Sequence, residues 1–237
     1  MHVVHPAPRE PSRRYRRAMG DASASWRLDH PWAKVYERVS TDDRLGPLLW
    51  RLGTGSSVDE LHARAAAALD ALPPGARVLD VPCGSGIVLR DLPRDHALRY
   101  VAADISPAML RRTRAEAERL EVPGIETKEA DVHRLDDQDH TYDLVLTFTG
   151  LHCLPDPAMA VHELARVLRP GGRLVGSTLT TDAGLRHRAT WVAGRAAGVL
   201  GPGGTRADLR RWMADAGLVD VDLTPAGAFT YLTARRP

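Results

Sequence analysis

From residue 77 to residue 179 the chain repeats one pattern: a short run of β-forming residues, a turn, then a stretch of helical character. The β-type runs are RVLDV (77–81), RYVAAD (99–104), GIETKEAD (124–131), YDLVLTF (142–148) and RLVGSTL (173–179). Helical character continues to about Leu92 after the first run. It returns from Ser106-Pro107 to Leu120, where Ser suits the N-cap and Pro the first helical position. A third helix opens at Asp156 and runs to Leu168, and Arg169-Pro170-Gly171-Gly172 stops it. Parallel strands need long crossovers, so this alternation predicts a parallel sheet with helices on both faces. Beyond residue 204 the pattern changes. Thr205 caps a helix to Ala216, which Gly217 ends. LVDVDLT (218–224) and AFTYLTA (228–234) flank a short turn at 225–227, which predicts an antiparallel pair.

The segments before residue 77 differ in kind. Residues 1–20 are rich in Pro and Arg and read as a disordered basic tail, with Met19 as an alternative start. Residues 21–58 read as an N-terminal helical cap segment. Trp32, Val35, Tyr36 and Val39 recur there at spacings of three and four, giving one apolar face. GTGSS (53–57) breaks it before a second helix, VDELHARAAAALDAL, ended by Pro73-Pro74-Gly75. Residues 59–237 form the α/β domain, with 182–204 inserted between the fifth strand and the next helix; residues 182–200 read as helical and Ala-rich until GPGG (201–204) breaks them.

Composition excludes several classes. Apolar residues are 43% and charged residues 26% of the 237, as in ordinary globular domains. No apolar stretch approaches the ~18 residues that span a bilayer, and the first residues lack the apolar centre of a secretory signal. Cys83 and Cys153 make neither a disulfide framework nor a zinc pair, and no metal-ligand spacing is present. A cytoplasmic location is expected. The net charge of +2 raises the question of a nucleic-acid partner. Residues 1–20 hold five Arg and one Glu, however, leaving 27 basic and 29 acidic residues elsewhere. The basic balance belongs to the tail, and no nucleic-acid partner is expected.

In open α/β sheets ligands sit beyond the carboxyl ends of the strands. Three of those ends carry an acid: Asp80, Asp104 and Asp131. After Asp80 comes VPCGSG, whose Gly84 and Gly86 permit a tight turn and close approach to a ligand. The following helix N-terminus suits an anion or a polar cofactor. A dinucleotide fingerprint would need Gly where Leu89 stands, and no P-loop is present. A carboxylate at Asp104 can accept from both hydroxyls of a ribose. Asp131 can accept from an adenine amino group while the Val132 N–H donates to a ring nitrogen. Taken singly, each acid also suits a plain structural turn.

The series VLDVPCGSG, VAADISPAML, EADVHRL, YDLVLTFTGLHCLPDP and ELARVLRPGGRLVGST resembles the class I S-adenosylmethionine-dependent methyltransferases. Within these it is most similar to the small-molecule group that includes ubiquinone/menaquinone-biosynthesis C-methyltransferases. The resemblance covers roughly residues 60–235. It implies a Rossmann-like, doubly wound, seven-stranded sheet, mostly parallel with an antiparallel C-terminal pair. It implies S-adenosylmethionine as cofactor, with S-adenosylhomocysteine as product, and a small-molecule acceptor. Asp80 and residues Pro82, Cys83, Gly84 and Gly86 would line its methionine and ribose portion. Asp104 would bind the ribose, Ile105 and Met109 would pack on the adenine, and Asp131 and Val132 would read the adenine edge. Thr147 would lie near the sulfonium. Pro82 departs from the family, which usually has Gly or Ala there. Cys83 reads as a small buried filler rather than a nucleophile.

Methyl transfer from a sulfonium is an in-line displacement that needs alignment and exclusion of water more than acid–base help. His152, after the fourth strand, is placed to act as general base or to orient the acceptor, or else is a structural loop histidine. Substrate contacts are expected from Trp32 and Tyr36 in the cap, from His152, and from Trp191 in the 182–204 lid. The alternative is a protein that keeps the cofactor but catalyses another reaction, such as a cyclisation. A nucleic-acid methyltransferase is disfavoured, because TFTG (147–150) stands where an NPPY-like tetrad would be. A monomer or a homodimer is expected.

Overall fold

The computed structural model describes residues 46–237, apart from Arg94 and His96. Trp32, Tyr36, the basic tail and most of the cap segment lie outside the described residues. Two helices come first, α1 (Gly46–Thr54) and α2 (Val58–Asp70). Ser57 caps α2 by accepting from the Asp59 N–H, as the GTGSS break suggests. The sheet begins with β1 (Arg77–Asp80) and β2 (Arg99–Asp104), followed by α3 (Pro107–Arg119) and β3 (Ile125–Glu129). Next come β4 (Tyr142–Phe148), α4 (Pro157–Val167) and β5 (Leu168–Leu179). The chain ends with α5 (Arg188–Ala196), α6 (Arg206–Asp215), β6 (Val219–Ala226) and β7 (Phe229–Arg235).

The seven strands lie in the order β3-β2-β1-β4-β5-β7-β6. β7 is antiparallel to both neighbours, and every other pairing is parallel. Strand alternation divides the core between the two faces. Leu79, Val145 and Leu232 pack with Leu164 of α4 and Leu209 of α6 on one face. Val78, Leu144 and Leu146 pack with Leu61 and Leu69 of α2 and Leu110 of α3 on the other. Deleting such a fully buried leucine costs about 2–5 kcal/mol, so the two faces fix the register of β1 and β4 firmly. Among the described residues no helix is long and apolar enough to cross a membrane.

Five local expectations need correction. The segment after the glycine loop is a five-residue 3-10 turn, Ile87–Asp91, rather than an α-helix. Leu92 precedes Pro93 and is therefore extended, which leaves no room for a full helix. β3 ends at Glu129, so Asp131 lies beyond the strand, in an isolated bridge to Arg134. β5 starts at Leu168, because the RPGG turn forms an irregular step in pairing between Tyr142↔Leu168 and Leu144↔Arg173. The N–H of Gly171 and the carbonyl of Gly172 both bond Arg236, which stitches this step to the chain end. Only residues 188–196 of the 182–200 segment are α-helical, after a 3-10 turn at Leu185–His187. Finally, β6 continues through Pro225, and Gly227-Ala228 makes the hairpin turn.

That hairpin anchors α1. The Ala228 N–H donates to the Thr54 carbonyl at 2.7 Å. A Cβ on Gly227 would lie 2.3 Å from the same oxygen, so the close approach requires glycine. Trp50 of α1 stacks on Phe229 of β7, ring centroids 5.3 Å apart and 2° from parallel.

Candidate active site

β1 and β4 are neighbours in the sheet while the chain between them visits β2 and β3, so their carboxyl ends form the switch point. Asp80 closes β1 and is 1% exposed. The Tyr100 hydroxyl donates to its Oδ2 at 2.9 Å. Burial pushes its carboxyl up to about 7, the Tyr100 bond opposes that, and the nearby Asp104 charge adds to it. Asp104 closes β2. It accepts from the Gly84 N–H on Oδ2 at 3.0 Å and from the Ser106 N–H on Oδ1 at 2.9 Å. Burial still holds it up at about 6 against these bonds. Among the described residues no basic side chain is among the groups acting on either carboxylate.

The loop between the two acids is tied from both sides. Gly84 and Gly86 adopt φ of 55° and 86°, the left-handed region that only glycine enters freely. A Cβ on Gly84 would meet nothing within 4 Å, so this backbone faces open space. Thr113 of α3 donates to the Gly84 carbonyl at 2.8 Å, and the Cys83 N–H donates to the Ala103 carbonyl at 2.8 Å. The Cys83 thiol is buried against Thr113, and burial with the two neighbouring carboxylates pushes it up, so it stays protonated. Pro82 follows a cis peptide bond. Its ring packs under Gly150, where a Cβ would lie 2.5 Å from Cδ and Cγ.

Ile105 is half-buried, and Met109 is buried in the first turn of α3. Asp131 is drawn into a local turn: its Oδ1 accepts from the His133 N–H at 3.0 Å and lies 2.7 Å from His133 Nδ1. The Val132 side chain is buried in the core. Thr147 has no exposed surface, and among the described residues its hydroxyl, beneath Gly150, has no hydrogen-bond partner. His152 lies on a 3-10 turn (Leu151–Cys153), its ring edge-on to Phe229 at 6.1 Å. Trp191 of α5 packs on Gly203, where a Cβ would lie 2.2 Å from the ring. The structure thus gathers Asp80, Pro82, Cys83, Gly84 and Asp104 at one point and sets His152 beside the C-terminal end of β5. Among the described residues no group of three or more His, Cys, Asp or Glu is placed to hold a metal ion.

Three supporting residues were missed from sequence: Tyr100, Thr113 and Trp50. Tyr100 pairs with Val78 across the sheet, two residues before Asp80 on the same face. That register is a tertiary fact, and the sequence marks Tyr100 only as a strand residue.

A model of the methyltransferase domain family matches residues 78–172. A phosphatidylethanolamine N-methyltransferase of Cereibacter sphaeroides is 33% identical over 167 residues, which are 68% of this chain and 81% of that protein. The chain belongs to the methyltransferase domain family. A 2-methyl-6-phytyl-1,4-hydroquinone methyltransferase of Synechocystis is 38% identical over 51% of this chain, but only 37% of that protein is matched. The match to a ubiquinone biosynthesis O-methyltransferase of Alkalilimnicola ehrlichii likewise spans 43% of it. The chain therefore covers less than half the length of these two relatives. A putative methyltransferase of Bacillus halodurans has the same fold, with a TM-score of 0.63 at 19% identity over 74% of this chain and 99% of that one. So does the [4+2]-cyclase SpnF, with a TM-score of 0.63 at 20% identity over 76% and 81%. The fold of this family therefore accommodates more than one chemistry.

Proposed function

We propose that this domain binds S-adenosylmethionine and transfers its methyl group to a small-molecule acceptor. The observation that carries the reading is the pair of buried carboxylates at the ends of β1 and β2. They flank an open glycine loop, and among the described residues no basic side chain acts on them. Buried charge of that kind calls for a partner. A ligand with cationic groups and a ribose diol fits it: Asp80 faces positive charge and Asp104 accepts from hydroxyls. The open space over Gly84 leaves room for the polar end of the same ligand. Ile105 and Met109 would flank its base, and Asp131 with the Val132 N–H would read the base edge.

When bound, S-adenosylmethionine supplies an electrophilic methyl group on a sulfonium. The chain's own task is then to orient the acceptor in line and to exclude water. The acceptor class is quinone-like, lipid or secondary metabolite, a reading supported by relatives named for hydroquinone, ubiquinone and phospholipid methylation. Isothermal titration with S-adenosylmethionine and S-adenosylhomocysteine tests the reading. Binding of both is expected, and failure of both to bind refutes it. Cofactor binding without methyl transfer to any quinol, lipid or phenol would move the assignment towards a non-methylating reaction such as cyclisation.

A further inference from the structure

Tyr100 reaches Asp80 across the sheet, and the pleat explains how. β1 and β2 run parallel with Tyr100 opposite Val78, two residues before Asp80. Residues two apart on a strand share a face, so the Tyr100 ring and the Asp80 carboxyl lie on the same side. Two residues of strand span about 6.6 Å, which a phenol leaning along the strand covers. The hydroxyl donates to Oδ2 at 2.9 Å. Both side chains are sealed from water, each 1% exposed. Burial and the carboxylate beside it push the Tyr100 phenol up, so the shared proton stays on its oxygen. Among the described residues this hydroxyl is the one donor on the Asp80 carboxyl.

The titratable groups around the pair come from several elements. Asp104 of β2 and the Cys83 thiol of the glycine loop face Asp80. Asp91 of the 3-10 turn faces Tyr100 and lies 2.8 Å from His62 of α2. Asp104 opposes a charge on Asp80, and the Tyr100 hydroxyl favours it. We propose that Tyr100 is a positioning residue for the cofactor: its hydroxyl holds Asp80 as an oriented anion and so sets the affinity for the ligand's cationic group. The inference rests on the S-adenosylmethionine reading, and Tyr100 acts only through Asp80. A phenylalanine in its place would keep the ring packed with Val78 and Leu144 but leave the carboxyl without its donor. The carboxyl would then take up a proton at higher pH, and a neutral acid attracts no cation.

Calorimetry of S-adenosylhomocysteine binding to the full chain, from about pH 6 to about pH 9, compares wild type with Tyr100→Phe. The ratio of the two affinities at each pH cancels the titration of the ligand itself. A hydrogen bond to a charged group is worth about tenfold or more, so the variant should bind about tenfold more weakly near pH 6. The loss should shrink to about twofold or less near pH 9, where Asp80 is ionised in both proteins. An equal loss across the range marks a merely structural role and overturns the proposal, as does no loss at all. Failure of wild type to bind at any pH refutes the S-adenosylmethionine reading, and this role with it. Carbon NMR of the ligand-free protein follows the same device without a cofactor. The Asp80 carboxyl resonance, assigned by its absence in Asp80→Asn, should titrate about one unit or more higher in Tyr100→Phe than in wild type. An unchanged midpoint overturns the proposal. Should Tyr100→Phe fail to fold, the wild-type Tyr100 ring carbon bearing the hydroxyl gives the answer. Its resonance should move with the Asp80 titration, and a flat profile overturns the proposal.

Discussion

Replacing Asp80 by Asn should make the ligand-free domain more stable above neutral pH. The carboxyl is raised by burial from its ordinary 3.8 to about 7. The folded protein therefore holds this proton more tightly than the unfolded chain does. Stability from this group is complete below about pH 3.8 and is lost as pH rises through about 7. A shift of about 3 units at about 1.4 kcal/mol each amounts to about 4 kcal/mol of destabilisation at pH 8. Asn removes the charge and keeps an oxygen to accept from Tyr100, so it recovers most of that sum. Urea unfolding of both proteins between about pH 4 and pH 8 measures the gap. The Asn variant should gain on the order of 2–4 kcal/mol at pH 8 and almost nothing at pH 4. Equal stability at pH 8 would refute the argument, and so would a gap that ignores pH. The same variant should bind S-adenosylmethionine more weakly, since the charge that strains the empty fold is the one proposed to hold the ligand.

Other residues of the site make separate predictions. Asp104→Ala should weaken S-adenosylmethionine binding by more than tenfold, about 1.4 kcal/mol or more, as calorimetry would show. Unchanged affinity would remove Asp104 from the ribose site. Thr113→Val should leave the Gly84 carbonyl without its 2.8 Å donor. A loss of about 1–3 kcal/mol in denaturant unfolding is expected, together with weaker cofactor binding. Gly150→Ala would set a Cβ 2.5 Å from the Pro82 ring. Overpacking there should lower stability by about 1–3 kcal/mol in thermal unfolding, and Pro82→Ala in the same chain should relieve part of it.

The fold was legible because its signals are local. Alternation of β runs and helices, the caps at Ser106, Asp156 and Thr205, and the short hairpin connection each belong to a few adjacent residues, and the sheet has the expected strands. Where the reading failed, a neighbour distant in sequence or a proline decided the outcome. Pro93 limited the segment after Gly86 to a 3-10 turn. Contacts of Gly171 and Gly172 with Arg236 held the RPGG segment within β5 instead of releasing it as a loop.

The candidate site divides in the same way. Asp80, Gly84, Gly86 and Asp104 could be named from residue type and from position at strand ends, because the carboxyl edge of a parallel sheet is a topological consequence of strand–helix alternation. Asp131 was named as a strand end, but His133 holds it in a turn two residues past β3. His152 could be named but not given a role. Its protonation follows from a backbone N–H 27 residues later, which reaches it only because β4 and β5 are neighbours. The sequence by itself determined which chemical groups line the edge of the sheet. Only the tertiary structure decided their charge and proton positions, since burial and hydrogen-bond partners come from strands and helices far apart in the chain.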